Sequence, residues 1–247
     1  MSRSIVAIGR QLPDEAEIGS VLASQGPAIA LMLGTVQQLL GDWAARITDV
    51  LAENPDLLAD PMWWQLYANQ ELYAPLRGTM ELAIREAIGL SGIPVSWGTI
   101  NQRVRDLAGE MAFEMVNLSN PRGIVRPRAG FLEGLRADLV SGALNWSDLP
   151  SALEGMFGEY RARLIARTET TGLWAKSHLL AAAEAGVGFK RNVRAELHRP
   201  CPSNVCPDAQ DEGWIPLGQA FRLSGLQGPH FHPHCYCYLQ FSYSGEE

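Results

Sequence analysis

All four cysteines of this chain fall between positions 201 and 237, together with three of its five histidines. The order is Cys201-Pro-Ser-Asn-Val-Cys206, an interval of 25 residues, then His232-Pro-His-Cys235-Tyr-Cys237. Short-spaced donor pairs on either side of a loop let soft and borderline ligands converge tetrahedrally on Zn²⁺. Cys201 and Cys206 make the first pair, on a turn that Pro202 and Asn204 favour. His232 and Cys235 have the two-residue spacing of a second knuckle, and Cys235 with Cys237, on one side of a strand, is the alternative. Five donors (Cys201, Cys206, His232, Cys235 and Cys237) therefore compete for four places. Disulfides, free buried thiols and surface histidines are the competing readings. Thiols clustered with histidine in a chain without a secretory signal favour a structural zinc. His230, His232 and His234 also alternate, but Pro229 and Pro233 interrupt the strand that a three-histidine site would need.

The elements that must position these donors change character at Gly188. Upstream, apolar residues step by three or four. Residues 27–53 are expected to form a helix, with Leu33, Leu40 and Ile47 interleaving Val36, Trp43 and Val50. An aromatic cluster follows at Trp63, Trp64, Tyr67 and Tyr73, expected to be core, with any exposed part serving assembly. Further helices are expected over Pro75–Ile88, from Ile100 to Leu118, over Ala129–Leu144, and from Leu149 to Ala185. The last has Ser147 and Asp148 as N-cap candidates and Gly186 as its stop. Downstream, Val193, Ala195 and Leu197 alternate with Asn192, Arg194, Glu196 and His198, which predicts a strand with the apolar set inward. Trp214–Leu217 suits a short edge strand that tolerates Pro216, and Cys237, Leu239, Phe241 and Tyr243 suit a closing one. The fold class is α+β: a mainly helical N-terminal two-thirds and a small C-terminal antiparallel β module stapled by the Cys/His cluster. Three regions result, 1–95, 96–188 and 189–247, and the last is too small to dispense with a staple.

Composition narrows the function. A chain of 247 residues with 47% hydrophobic and 19% charged side chains has the makings of a substantial core. Its formal charge of −7 gives no global attraction to nucleic acid, so a DNA contact must be local. Residues 161–200 carry eight basic side chains against three acidic ones, whereas residues 1–60 carry three against eight. Arg191, Arg194 and Arg199, with Arg167 and Glu169, are thus candidates for a weak DNA or partner contact; a solvated basic face is the plainer reading. The longest apolar run, Pro27–Val36, is about half the ~20 residues that a bilayer crossing needs, so no membrane partner is expected.

Three segments carry a family resemblance. Ile165-Ala-Arg167-Thr-Glu169-Thr170-Thr171 resembles an Ala-Arg-Thr-Glu helix segment. Arg199-Pro-Cys201-Pro with Cys206 and Gly213-Trp-Ile-Pro216-Leu217-Gly218 resembles a cysteine pair followed by a Gly-x-x-x-Pro-Leu turn. His232-Pro233-His234-Cys235-Tyr236-Cys237 resembles a closing His-Pro-x-Cys-x-Cys motif. In this order, over residues 98–240, they are similar to the phage Mu F-like head-morphogenesis family. Two departures are a first cysteine pair bracketing four residues instead of two, and Tyr236 where the family has arginine.

The resemblance implies a minor capsid protein acting in procapsid assembly beside the portal. Its partners would be portal and capsid or scaffold proteins, and its location the virion interior, with the host cytoplasm during assembly. It implies no catalytic reaction. Arg167 and Glu169 would form an ion pair with Thr170 beside it, or an ordinary surface pair worth about 0–1 kcal/mol. The rival class is a zinc-dependent hydrolase or nuclease using Asp211 or Glu212 as base. No His-Glu-x-x-His or phosphate-binding glycine loop supports that rival, and thiolate-rich sites are usually closed to water.

Overall fold

The computed structural model describes residues 26–54, 61–117, 131–194, 204–232, 235 and 237–245. Helix α1 (Gly26–Glu53) buries Met32, Val36, Leu40, Trp43, Ile47 and Val50 in one stripe. Leu33 is half-buried, so the apolar seam serves the protein's own core. The next helical run comprises α2 (Pro61–Tyr67), a π-helical turn (Ala68–Leu72) and α3 (Tyr73–Leu90). Pro75 was expected to open this helix and instead lies inside it. Its ring clashes with an α-helical carbonyl four residues back, and the wider π turn immediately upstream makes room for it. Helix α3 ends at Ser91, whose hydroxyl donates to the Ile88 carbonyl at 2.7 Å, and at Gly92 with φ 67°.

Helices α4 (Trp97–Val116), α5 (Phe131–Ser141), α6 (Leu149–Phe157) and α7 (Glu159–Glu184) complete the helical part. The expected single helix from Leu149 is two, broken at Gly158. There a Cβ would collide with the Glu154 carbonyl and side chain. The expected N-cap oxygens make no cap bond either, because the Asp148 carboxylate accepts from Asn145 instead. Helix α7 does stop where expected. Gly186 (φ 72°) donates to the Ala183 carbonyl and Val187 to that of Ala182, the paired bonds that close a helix on a left-handed residue.

By packing, the chain forms two compact units, one including Leu31–Met80 with Ala108–Ala166, the other Glu81–Leu107 with Arg167–Glu247. In the first, the aromatic cluster is largely core. Trp43 is buried against Tyr67 at 4.7 Å between ring centres, with Trp63 stacked on Tyr67 at 5.9 Å. The second holds the β module. Strand β1 (Phe189–Val193) is central, flanked antiparallel by β2 (Ile215–Pro216) and β3 (Tyr238–Ser242). The edge strand and the closing strand fall where the sequence places them.

The phase of β1 does not. Register pairs Lys190 with Phe241 and Asn192 with Leu239, and both polar side chains are buried, although Asn192 was expected to face outward. Val193, at the end of the strand, is buried on the opposite face. Both faces of β1 are covered, so alternation cannot identify the inner one. The expected inward residues Ala195 and Leu197 lie outside the described residues.

Candidate metal centre

Three of the five proposed metal donors come from separate pieces of this module. Cys206 sits in the first turn of a short helix, α8 (Val205–Asp211), where the sequence suggested only a turn. Cys206 and Ala209, three apart, bury one face of it, a spacing visible in the sequence but too short to mark a helix. Cys235 closes a tight turn in which its N–H donates to the His232 carbonyl at 3.1 Å. Cys237 leads into β3.

The three thiols are 1%, 0% and 7% exposed, are not bonded to one another, and all lie within 4.8 Å. The sulfurs of Cys206 and Cys235 are 3.8 Å apart. That matches the edge of a tetrahedron with Zn–S bonds of about 2.3 Å, which is about 3.8 Å. His232 is half-buried and places Nε2 3.0 Å from the Cys206 sulfur, about 0.5 Å inside the tetrahedral S···N edge. The three thiols of Cys206, Cys235 and Cys237 are therefore gathered as one donor cluster, and His232 approaches it at the Cys206 sulfur. Cys201, the fifth, lies outside the described residues.

The electrostatics fit a cation. Hydrogen bonds from Cys206 and Cys237, joined by the backbone N–H groups of Phe231 and Cys237, hold Cys235 far below the usual thiol range. The same bond to Cys235, then that to Cys237, pushes Cys206 up. Protons shared among close sulfurs are what a divalent ion replaces, since thiolates are its ligands. Thiolates with one imidazole favour zinc over magnesium or calcium.

Helix α7 forms the wall behind the turn. Thr171, buried, donates its hydroxyl to the Cys235 carbonyl at 3.1 Å. One residue on, the His230 ring lies directly on Gly172, where a Cβ would overlap the imidazole. Gly228 fits against Ala175 and Leu179 of the same helix. His230 lies outside the donor set read from the sequence, and this contact gives it a packing role. Gly172→Ala is expected to drive the turn off the helix and destabilise the protein by about 1–3 kcal/mol. His230→Ala in the same chain should restore most of the loss. Thermal melts of the two single variants and the double variant check this. Additive losses would show that the contact does not matter.

The remaining predicted residues are scattered. Glu169 is half-buried on α7 and Thr170 buried beside it, while the Arg167 side chain and Arg199 lie outside the described residues. Arg191 faces the other side of the sheet, stacked 4.7 Å over Trp214, with Nε donating to Gln240 Oε1 at 2.8 Å. Arg194 is half-buried, its backbone N–H donating to the Gln210 side chain. Glu212, the candidate base, accepts the backbone N–H of Arg222 at 2.8 Å. Lys190 and Asn192 were not singled out from the sequence, because only the strand register reveals that they are buried. No protein-family model matches the chain, and no curated protein or solved structure matches it.

Proposed function

We propose that this chain is a minor capsid protein of the Mu F-like head-morphogenesis type, whose C-terminal module is stapled by structural zinc. Cys206, His232, Cys235 and Cys237 would hold the ion. Four protein donors leave no coordination position for water, which favours a structural over a hydrolytic centre. The observation that carries the reading is the Thr171–Cys235 contact. It joins the Arg-Thr-Glu segment of α7 to the closing Cys-x-Cys segment, 64 residues away in sequence. Two of the three motifs on which the resemblance rests are thus in direct contact, which supports reading them as parts of one design.

An assembly role also has surface to use. Met62 and Leu66, one turn apart on α2, are 80% and 57% exposed, and a portal or capsid protein could cover them. The hydrolase alternative has less support, because Glu212 accepts the Arg222 backbone N–H and, among the described residues, no carboxylate joins the thiol cluster. No described helix is long and apolar enough to cross a membrane.

The test is mass spectrometry of purified procapsids and virions from a producing host. A few copies per particle are expected. Absence of the chain from particles of every assembly stage would overturn the assignment.

A further inference from the structure

Asn192 is the buried side chain that touches both cysteine-bearing segments of the metal centre. It projects from the central strand, is 1% exposed, and donates Nδ2–H to the Cys206 backbone carbonyl at 3.3 Å. On the strand it stands opposite Leu239, two residues beyond Cys237, and from there its side chain favours the Cys237 thiolate. Its Oδ1 has no hydrogen-bond partner among the described residues, so the amide is held through its N–H groups. Cys206 arrives on α8 and Cys237 at the start of β3, and neither segment pairs with the other in the sheet. Both are instead referenced to one amide on β1.

We infer that Asn192 is the positioning residue of the metal centre, fixing the separation of Cys206 and Cys237 and donating an N–H to the Cys237 sulfur. The inference rests on the metal reading above. A hydrogen bond to a ligating thiolate draws electron density from sulfur and orients its lone pair, and such outer partners govern how firmly a metal is held. A buried amide donating to both a carbonyl and a sulfur also satisfies two acceptors that water cannot reach. Leucine has nearly the same size and donates nothing, so it separates hydrogen bonding from packing.

The experiment uses the full chain loaded with cobalt(II), whose sulfur-to-metal charge-transfer bands report thiolate character. Asn192→Leu should shift those bands to lower energy while keeping the tetrahedral d–d pattern, and should release metal to a chelator about 10–100-fold faster. Asn192→Thr, which keeps one donor and suits a strand, should fall between. A folded Asn192→Leu protein with the wild-type spectrum and release rate would overturn the inference while leaving the metal centre intact. If the leucine variant fails to fold, Asn192→Thr decides, and wild-type spectrum and release would again overturn it. A wild-type chain that gives no tetrahedral cobalt spectrum would sink the metal reading itself, and this inference with it.

Discussion

Removing the proposed zinc from the intact, reduced protein is expected to unfold residues 189–243 while helices α1–α7 keep their helicity. The segment has few large apolar side chains fully buried: Ile215, Phe221, Phe231, Leu239 and Phe241 are its main ones. A module of that size cannot offset the entropy of its loops by burial alone. A structural zinc contributes on the order of 10 kcal/mol of apparent binding free energy, which is folding free energy for the residues it ties together. Cys235→Ser should reproduce the effect of chelation, because it removes the central sulfur of the cluster. Cys201→Ser should retain one metal per chain, since three thiols are gathered and His232, 3.0 Å from the Cys206 sulfur, is the fourth donor proposed. Hydrogen exchange with and without chelator measures both, residue by residue. Unchanged protection across β1 and β3 in metal-free protein would refute the staple.

Lys190→Met is expected to stabilise the protein by about 3 kcal/mol at neutral pH. The Lys190 side chain is 0% exposed, between Phe241 and Ile215 on the neighbouring strands. Its Nζ has no hydrogen-bond partner among the described residues and lies 5.7 Å from the Phe221 ring centre. Desolvation lowers its pKa from 10.5 to about 8, and each unit corresponds to about 1.4 kcal/mol. In the unfolded chain the ammonium holds its proton up to about pH 10.5. The folded state therefore binds fewer protons between pH 8 and 10.5, and stability rises with pH across that window. Below pH 8 the whole penalty is present and constant, so the gain from methionine is largest there. It should shrink towards zero as the pH approaches 10.5. Urea titrations of both proteins at pH 7 and pH 10 check the sign and the trend. A variant less stable than wild type at pH 7 would mean that the ammonium is favourably held.

Much of this architecture was legible in the sequence, for identifiable reasons. The buried stripe of α1 follows its 3.6-residue spacing, and Gly186 ends α7 because a left-handed residue closes the helix there. The Cys/His spacing pointed to a cluster of which the fold brings together three thiols, Cys206, Cys235 and Cys237. Three features were not legible, each because it depends on contacts distant in sequence or on a close local approach of the backbone. Gly158 breaks a continuous apolar pattern where the backbone lies so close to Glu154 that no Cβ would fit, a feature that no periodicity encodes. The inner face of β1 was misassigned because Lys190 and Asn192 are polar, and their burial follows from pairing with Phe241 and Leu239. The role of His230 depends on a bare Cα at Gly172, 58 residues earlier in the chain.

The most direct test of the central claim is zinc-edge X-ray absorption on protein purified under reducing conditions, paired with metal analysis of the same sample. One zinc per chain is predicted, with three sulfur neighbours at about 2.3 Å and one nitrogen at about 2.0 Å, from Cys206, Cys235, Cys237 and His232. A metal-free chain whose C-terminal module is nonetheless folded, or a zinc shell without sulfur, would contradict it.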